Sequence, residues 1–343
     1  MRVAHADGHR PTSGDLRVAI VGCGAIGELV ARRVYADPPD GCRVVAVVDR
    51  VAARADAVGA LLGVPSYASL ANVAAAQGID AVDLRLPHDA HAAAVLQALD
   101  AGLHVLVEKP LATTSRDGRA LVEAAARSDR TVAVAENYPH LTAVRAAASA
   151  VAAGRVGELV ALRSTRAYRL DGVWLRDGWR RGGGPASGIL LDQGTHHTSL
   201  LRRLGGEVAG VSGHGSADTV GLTLRFASGR IGQSLYTWVT PAAGAEIEAT
   251  VYGTAGRIDI RVAYDGPFGS AVLNDDEVLS EGEDYYDSHR ALVTDWVESI
   301  RDGRQPLVGV ADAYADLLVV LAAAEALRTG HEVTTLEAED RTP

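Results

Sequence analysis

Three residues of this 343-residue chain have the types and spacing needed to move a proton to or from one ligand. Lys109 lies between the apolar run 104–107 and Pro110, which predicts that a strand ends at the lysine. In an open parallel sheet, ligands bind beyond the carboxyl ends of the strands, where burying a lysine is costly unless its charge has a use. Asp192 and His196 are four residues apart, so they share one face of a predicted helix. Together these groups could carry out general acid–base chemistry.

Each of these residues also has an ordinary structural interpretation. A lone lysine at a strand end usually reaches solvent, and an Asp–His pair on a helix is usually solvated or part of a cap. His197 points about a hundred degrees away from His196 around the helix, which favours a structural role or a contact with substrate. Because a metal ion needs more ligands than this pair supplies, we predict no metal site.

A glycine-rich loop indicates the cofactor. The loop residues that we assign to cofactor binding are Gly22, Gly24, Ala25, Ile26 and Gly27. They form a Gly-x-Gly-x-x-Gly pattern between a predicted strand and a predicted helix, which is the context that a dinucleotide fingerprint requires. The three glycines allow a tight turn, the approach of the pyrophosphate and close packing of the helix on the sheet.

Two residues after the second predicted strand bear on the choice of nucleotide. Asp49 can accept both ribose hydroxyls of NAD and would repel a 2′-phosphate. Arg50 beside it could instead pair with that phosphate. We therefore predict NAD as the cofactor and keep NADP as an alternative.

The predicted strands and helices that must position these residues follow two different patterns along the chain. In the first third, short apolar runs alternate with Ala-rich stretches, which is typical of a doubly wound parallel sheet, the Rossmann arrangement. The predicted strands are 16–21, 43–48, 81–86, 104–107 and 131–135, and the predicted helices are 26–35, 90–101 and 115–127. After about residue 136, consecutive strands with glycine-containing turns predict an α+β domain with a large, mostly antiparallel open sheet.

The second pattern, after about residue 136, predicts the remaining strands and helices and the domain boundaries. Its predicted strands are 159–168, 208–214, 220–226, 231–238, 246–252 and 257–262, and its predicted helices are 143–153, 288–302 and 310–328. We expect a disordered extension over 1–15, a dinucleotide-binding domain over 16–137, and a domain for substrate binding and oligomerisation over 138–343.

Composition excludes several classes of function. A formal net charge of −10 gives no basic footprint for nucleic acid, and no apolar stretch is long enough to span a membrane. Cys23 and Cys42 are the only cysteines, too few for a disulfide framework, which favours a reducing cytoplasm.

The order of these motifs resembles the glucose-fructose oxidoreductase, inositol dehydrogenase and rhizopine catabolism family, Gfo/Idh/MocA. The segment 101–110 is similar to its Gly-x-His-Val-x-x-Glu-Lys-Pro signature, and 87–91 is similar to its Pro-Asn-x-x-His segment, with His88 where the family often has asparagine. The segment 192–196 matches its Asp-x-Gly-x-His motif, and the resemblance runs from about residue 16 to 336. Ser199 stands where the family often carries an acidic residue.

The resemblance implies a reaction and a site. It implies hydride transfer between NAD(P) and a secondary hydroxyl of a sugar or cyclitol, with Lys109, Asp192 and His196 as catalytic residues and either Lys109 or His196 as the base. It further implies a homodimer or homotetramer formed through the second sheet. The residues implied at the cofactor are Pro87, His91, Glu108, Lys109 and Asn137.

Substrate identity depends on weaker patterns. Candidate aromatic walls, each of which is more often a packing residue, are Tyr138, Tyr168, Trp174, Trp179, Tyr236 and Trp238. The second domain is acidic, with Asp171, Asp177, Glu246, Glu248 and the acids of 275–287. Such a charge run is usually a solvated loop, but an acidic cleft would suit a cationic aminosugar or aminoglycoside-type substrate. Two other classes stay open, an NAD-dependent glycosidase acting by transient oxidation and a non-catalytic sugar-sensing regulator.

Overall fold

The computed structural model describes residues 14–76, 78–170, 172–175, 178, 180, 188–241, 245–263 and 268–340. Residues 1–13 of the expected N-terminal extension lie outside the described residues. Within the described part, two sheets organise the chain, one in each half of the sequence.

The first sheet has six strands, and all of its neighbours are parallel. Its strands are β1 Leu16–Val21, β2 Cys42–Val48, β3 Ser66–Tyr67, β4 Ala81–Leu84, β5 His104–Glu108 and β6 Val132–Ala135. The order is β3-β2-β1-β4-β5-β6, so the direction of winding reverses between β1 and β4. That reversal creates a crevice at the carboxyl ends of the strands, where ligands bind in such sheets.

Helices cover both faces of this sheet. They are α1 Ala25–Val30, which continues as a π-helical turn Ala31–Tyr35, then α2 Ala52–Leu62, α3 Leu70–Ala76, α4 His91–Asp100 and α5 Ser115–Arg127. The predicted Rossmann fold is confirmed, with strand ends within two residues of the prediction. Helices α2 and α3 were not predicted, because alanine is small and apolar on every face and therefore hides the helical period. Strand β3 was not predicted, because its two residues are too few to show a strand period.

The second sheet has nine strands and is mostly antiparallel, as predicted. Its strands are β7 Leu159–Ala167, β8 Val208–Gly215, β9 Thr219–Phe226, β10 Ile231–Thr237, β11 Ala245–Gly253, β12 Arg257–Ala263, β13 Ser270–Leu273, β14 Glu277–Ser280 and β15 Val333–Thr334. The order is β14-β13-β12-β11-β7-β10-β9-β8-β15, and only β7 and β10 are parallel. The strands β13 to β15 are too short to have carried a pattern of their own.

One face of the second sheet is covered by helices, and none of the described elements covers the other face, called here the open face. The helices of this half are α6 Thr142–Ala152, α7 Thr195–Gly205, α8 Tyr285–Asp302, α9 Val310–Thr329 and α10 Thr335–Asp340. Along β10, Ser234 and Tyr236 point into the core, whereas Ile231 and Leu235 are 51% and 45% exposed. Tyr252 of β11 is 36% exposed and pairs with the same residue of β7 as Ile231 does, so the three apolar side chains share the open face.

Two late helices extend from the second half back to the first sheet. Trp296 of α8 is buried with residues of β1 and β2, and Leu317 of α9 is buried with residues of β4, β5 and β6. The predicted division between residues 137 and 138 stays a prediction, and the packing adds that α8 and α9 help to close the first sheet. No helix in the described ranges combines the length and apolar character needed to cross a membrane.

Candidate active site

A cavity of about 430 Å³ lies between the carboxyl edge of the first sheet and the helices of the second half. Its described walls include Lys109 and Asn137 from the first sheet and Asp192 and His196 from the second half. The three residues predicted to be catalytic therefore line one cavity, although 83 positions separate Lys109 from Asp192.

Lys109 follows β5 directly and is joined to Pro110 by a cis peptide bond. Its Nζ donates to the Asp192 Oδ1 at 2.6 Å and to the Asp192 carbonyl oxygen at 2.8 Å. Burial by itself would raise the pKa of the Asp192 carboxyl, but Lys109 and Arg180 lower this pKa well below its usual range. The ammonium group is thus fixed at the cavity wall by a residue that is charged near neutral pH.

Asp192 lies on a π-helical turn, Leu190–Gly194, that runs directly into α7. The sequence predicted an ordinary helix here, and π-helical turns are rare and occur often at functional sites. Arg180 donates from its Nε to the other carboxylate oxygen, Oδ2, at 3.1 Å and also lines the cavity. Asp192 therefore joins two cations, of which the sequence identified one.

Lys109 is also the single lysine of the chain, since the other 32 of its 33 Lys and Arg residues are arginine. A position where any cation would serve is expected to hold arginine in such a composition. Arginine and lysine differ because lysine is a compact point charge on a flexible stem, whereas the guanidinium group is a planar fork. This compositional signal would have singled out Lys109 without any motif.

His196 lies on α7 with its ring against two buried groups. Its Nδ1 is 2.7 Å from the Oε1 of Glu136, and its ring stacks on that of Tyr138 with centroids 4.7 Å apart. Burial would raise the pKa of Glu136, but His196 and Lys109, with the hydrogen bond from the Tyr138 backbone N–H, hold this pKa below its usual range. Glu136 belongs to no sequence motif, so it could not be identified from the sequence.

Tyr138 and His197 were candidates for either a substrate contact or a structural role, and the structure places both in structural positions. The Tyr138 hydroxyl donates to the Glu248 Oε1 at 2.7 Å, and the His197 Nε2 lies 3.1 Å from the same oxygen. Both rings are buried behind His196, and neither lines the cavity. Their polar atoms face Glu248 and not the cavity. The two rings therefore pack behind His196 and support it.

The other aromatic candidates divide in the same way. Tyr168 lines the cavity, and its hydroxyl accepts from the Nε1 of Trp238 at 3.1 Å. Tyr236 and Trp238 are core residues, which is the structural alternative for these two candidates. Trp179 and the side chain of Trp174 lie outside the described residues.

The described walls of the cavity do not form the expected acidic cleft. Glu248 is buried in an ion pair with Arg166 at 2.9 Å, so its charge is matched inside the protein. The acids among the described lining residues are Glu108, Asp192 and Asp284, and the cations are Lys109, Arg166 and Arg180. Asp171 and Asp177 lie outside the described residues. A cationic substrate therefore has no support from the charges of the described walls.

The glycine loop fits a dinucleotide. Gly22 has φ +100°, and a Cβ added to it would stand 2.3 Å from the carbonyl oxygen of Arg85. A Cβ on Gly27 would stand 2.0 Å from the carbonyl oxygen of Gly22. Gly24 caps α1 without a side chain, so the first amides of that helix can face a phosphate. The close backbone packing explains why this loop needs glycine.

Asp49 stands at the end of β2 beside the loop. Its Oδ2 accepts from the Cys23 N–H and its Oδ1 from the Val51 N–H, both at 2.8 Å. A carboxylate has about four acceptor sites, so it can also accept ribose hydroxyls. Arg50 is exposed next to it.

The remaining predicted cofactor residues have mixed positions. Ile26, Glu108 and Asn137 line the cavity, and Ala25 begins α1. Pro87 starts the short 3₁₀ turn that precedes α4. The ring nitrogens of His91 are 2.7 and 2.9 Å from the carbonyl oxygens of Pro110 and Leu86. His91 is fully buried and does not line the cavity, which corrects its assignment: it ties together the two segments that follow β4 and β5.

A buried ion network underlies Lys109. Arg85 follows β4 and lies 2.6 Å from Asp83 and 2.5 Å from Glu108. The other oxygen of Glu108 accepts the backbone N–H of Lys109 at 3.1 Å. The sequence analysis missed this network, although two charged residues inside the predicted strand 81–86 were a signal for it. In the part of the chain that the structure describes, no group of His, Cys, Asp or Glu residues could hold a metal ion.

Gly27→Ala tests whether the loop binds a nucleotide. The new Cβ would overlap the Gly22 carbonyl oxygen, so the loop must shift, and we expect the Kd for NADH to rise by about tenfold or more. Titration of the fluorescence of bound NADH measures this change. Gly221→Ala in β9 is the control, since its nearest atom would be 3.9 Å away. Equal affinities in the two variants would contradict the assignment.

Both halves of the chain match profiles of known protein families. Residues 16–136 match a family profile described as "Oxidoreductase family, NAD-binding Rossmann fold", and residues 144–259 match one described as "GFO/IDH/MocA C-terminal domain". Together the two matches cover more than half of the chain.

Individual proteins are similar over most of their length. The scyllo-inositol 2-dehydrogenase (NAD(+)) of Bacillus subtilis strain 168 is 26% identical, covering 93% of this chain and 96% of that protein. The D-xylose 1-dehydrogenase (NADP(+)) 2 of Haloferax volcanii is 29% identical, covering 84% and 90%. The crystal structure of the WlbA dehydrogenase of Bordetella pertussis in complex with NADH and UDP-GlcNAcA has a TM-score of 0.81 at 20% identity, covering 94% and 98%, which shows the shared fold.

Proposed function

Because this chain belongs to the GFO/IDH/MocA family of oxidoreductases, with an NAD-binding Rossmann fold as its first half, we propose that it oxidises a secondary hydroxyl of a sugar or cyclitol to a ketone, or runs the reverse reduction. The observation that carries this proposal is the convergence of Lys109, Asp192 and His196 on one cavity at the carboxyl edge of the Rossmann sheet. The names of the two curated relatives, a cyclitol and a sugar dehydrogenase, agree with this substrate class.

The glycine loop and Asp49 would hold the nucleotide, with its pyrophosphate at the start of α1. Bound NAD supplies the acceptor for the hydride that leaves the substrate carbon. Asp49 favours NAD over NADP, because its carboxylate would repel a 2′-phosphate. Arg50 beside it keeps NADP as the alternative, and one relative is named for NADP.

Lys109 acts on the substrate oxygen. Its ammonium group is held by both the carboxylate and the carbonyl oxygen of Asp192, so it donates hydrogen bonds and does not have to accept a proton. A third donor position of the ammonium group can face the substrate oxygen and stabilise negative charge as the carbon–oxygen bond gains double-bond character. Asp192 keeps the lysine aligned with the substrate.

His196 accepts the proton of the same hydroxyl group. As the carbon loses hydride, the O–H bond breaks, the proton moves to the imidazole, and the remaining electron pair forms the ketone. In the reductive direction the imidazolium returns the proton. The stacked ring of Tyr138 and the contact with Glu136 hold the imidazole in place at the cavity wall.

A substrate panel tests the reaction. The purified chain is incubated with NAD or NADP and with aldoses, inositols, sugar ketones, aminosugars and aminoglycosides, and the absorbance of reduced nicotinamide is followed. We expect turnover with at least one hydroxyl substrate and faster turnover with NAD. Release of an aglycone without net reduction of NAD would point to a glycosidase. Nucleotide binding without turnover of any panel member would contradict the proposal and favour a sensor.

We also propose that a second copy of the chain covers the open face of the nine-stranded sheet, giving a homodimer or homotetramer. Ile231, Leu235 and Tyr252 expose apolar surface there in the middle of the sheet. Leu235→Asp should shift the wild-type oligomer toward monomers in sedimentation velocity at micromolar concentration, because charge would be buried at the interface. Leu96→Asp on α4, where the leucine is 36% exposed, is the control. A monomeric wild-type protein would refute this part.

A further inference from the structure

We propose that Glu136 is a positioning residue that holds His196 in the tautomer and orientation required of the base. This inference rests on the proposed dehydrogenase reaction and leaves the substrate open. Glu136 does not itself line the cavity, so it acts through the histidine.

The contact between the two residues defines where the proton sits. Glu136 follows β6 directly, is 1% exposed, and places its Oε1 2.7 Å from the Nδ1 of His196. The same oxygen accepts the backbone N–H of Tyr138 at 3.0 Å. An ionised carboxylate can only accept, so the proton in the contact belongs to Nδ1. The neutral ring then has its free lone pair on Nε2, the nitrogen that remains for a substrate hydroxyl.

The orientation of the ring has a second support. The ring of Tyr138 stacks on His196 at an interplanar angle of 18°, which blocks tilting of the imidazole. Tyr138 is fixed in turn by its hydrogen bond to Glu248, which pairs with Arg166. The base is therefore held on one edge by Glu136 and on one face by Tyr138.

The charge of Glu136 lies directly beside the ring of His196. Other titratable groups face this pair from every element packed against it: Lys109 after β5, His140 after β6, His197 on α7, Tyr285 and His289 on α8, and Asp316 on α9. Asp316 has its own cation, Arg202, at 2.5 Å. Glu136 is the anion in direct contact with the imidazole, and its Oε2 has no hydrogen-bond partner among the described residues. The contact therefore places a carboxylate beside the ring that becomes positively charged when it accepts the substrate proton.

The same geometry separates the roles of the two candidate bases. Lys109 is tied to Asp192 through two hydrogen bonds, one of them to a carboxylate, which keeps it a donor. His196 instead has on its Nδ1 the carboxylate of Glu136, which does not line the cavity, and this contact leaves Nε2 to accept a proton. These contacts support the roles proposed above, with His196 as the base and Lys109 as the electrophile.

Glu136→Gln tests the charge while keeping an acceptor of the same size. The amide of glutamine can donate as well as accept, so it no longer fixes the proton of the imidazole on Nδ1. We expect kcat to fall by about tenfold or more while KM changes little. Glu136→Asp, which keeps a carboxylate, should recover part of the lost kcat. A raised KM with an unchanged kcat would mean a purely structural role and would overturn the proposal.

A second measurement does not depend on turnover. In the full-length protein labelled with ¹⁵N-histidine, the imidazole signals of His196 are assigned by comparison with His196→Gln. The neutral ring should carry its proton on Nδ1 in the wild type and lose this preference in Glu136→Gln. An Nε2-protonated ring in the wild type would overturn the proposal. If the wild type turns over no panel substrate, the proposed reaction fails, and the tautomer still decides the role of Glu136.

Discussion

Lys109→Met is expected to lower kcat by about a thousandfold while the Kd for NADH changes little. Methionine has a similar length but carries no charge, so the substrate oxygen loses the donor that stabilises its negative charge in the transition state. The glycine loop and Asp49 are untouched by the change. Steady-state kinetics with a substrate from the panel and titration of NADH fluorescence measure the two effects separately.

Lys109→Arg is the control for charge alone. The guanidinium group is longer and planar, and it cannot place one donor on Asp192 Oδ1 and another on the Asp192 carbonyl oxygen as the ammonium group does. We therefore expect Lys109→Arg to stay at least about a hundredfold below wild type. Near-normal turnover in Lys109→Met would remove Lys109 from the mechanism. Near-normal turnover in Lys109→Arg would show that any cation serves at this position.

His196→Ala is expected to lower kcat at neutral pH by about a hundredfold to ten thousandfold, the contribution usually ascribed to a positioned general base. The substitution opens space at the cavity wall where a small external base can enter. Added imidazole should therefore restore part of the activity in a saturable way. Rescue is followed as kcat against imidazole concentration.

The lysine variant gives the contrast for this rescue. Imidazole cannot replace a lost cation, so Lys109→Met should not respond to it. Equal response of both variants would show that imidazole acts on another step. Wild-type activity in His196→Ala would exclude His196 as the base and return that role to Lys109.

The placement of the predicted catalytic residues could be inferred from the chain because each lies where a local rule is strong. Lys109 follows an apolar strand and precedes proline, and Asp192 and His196 have helical spacing before a long helix. The glycine loop has its pattern between a strand and a helix. Such signals depend on neighbours in sequence, so they survive without knowledge of the tertiary structure.

The supporting residues could not be found in the same way. Glu136 meets His196 across 60 positions, and Arg85 meets Glu108 across 23. Such contacts depend on how parallel strands line up at their carboxyl ends, and register is a property of the whole sheet. The acidic cleft was predicted wrongly for a related reason. The sequence shows that Glu248 carries a negative charge, but it does not show that Arg166 pairs with this charge inside the protein.

The single lysine allows the protein to be labelled chemically at one defined side chain. Apart from an α-amino group, Lys109 is the one primary amine that the sequence supplies, and its side chain opens into the cavity. An amine-directed reagent small enough to enter would therefore report on one wall of this pocket, without the background that scattered lysines create in most enzymes. The mass added to the intact chain would measure how many molecules have an accessible pocket, and a ligand that fills the pocket would be read as protection from labelling.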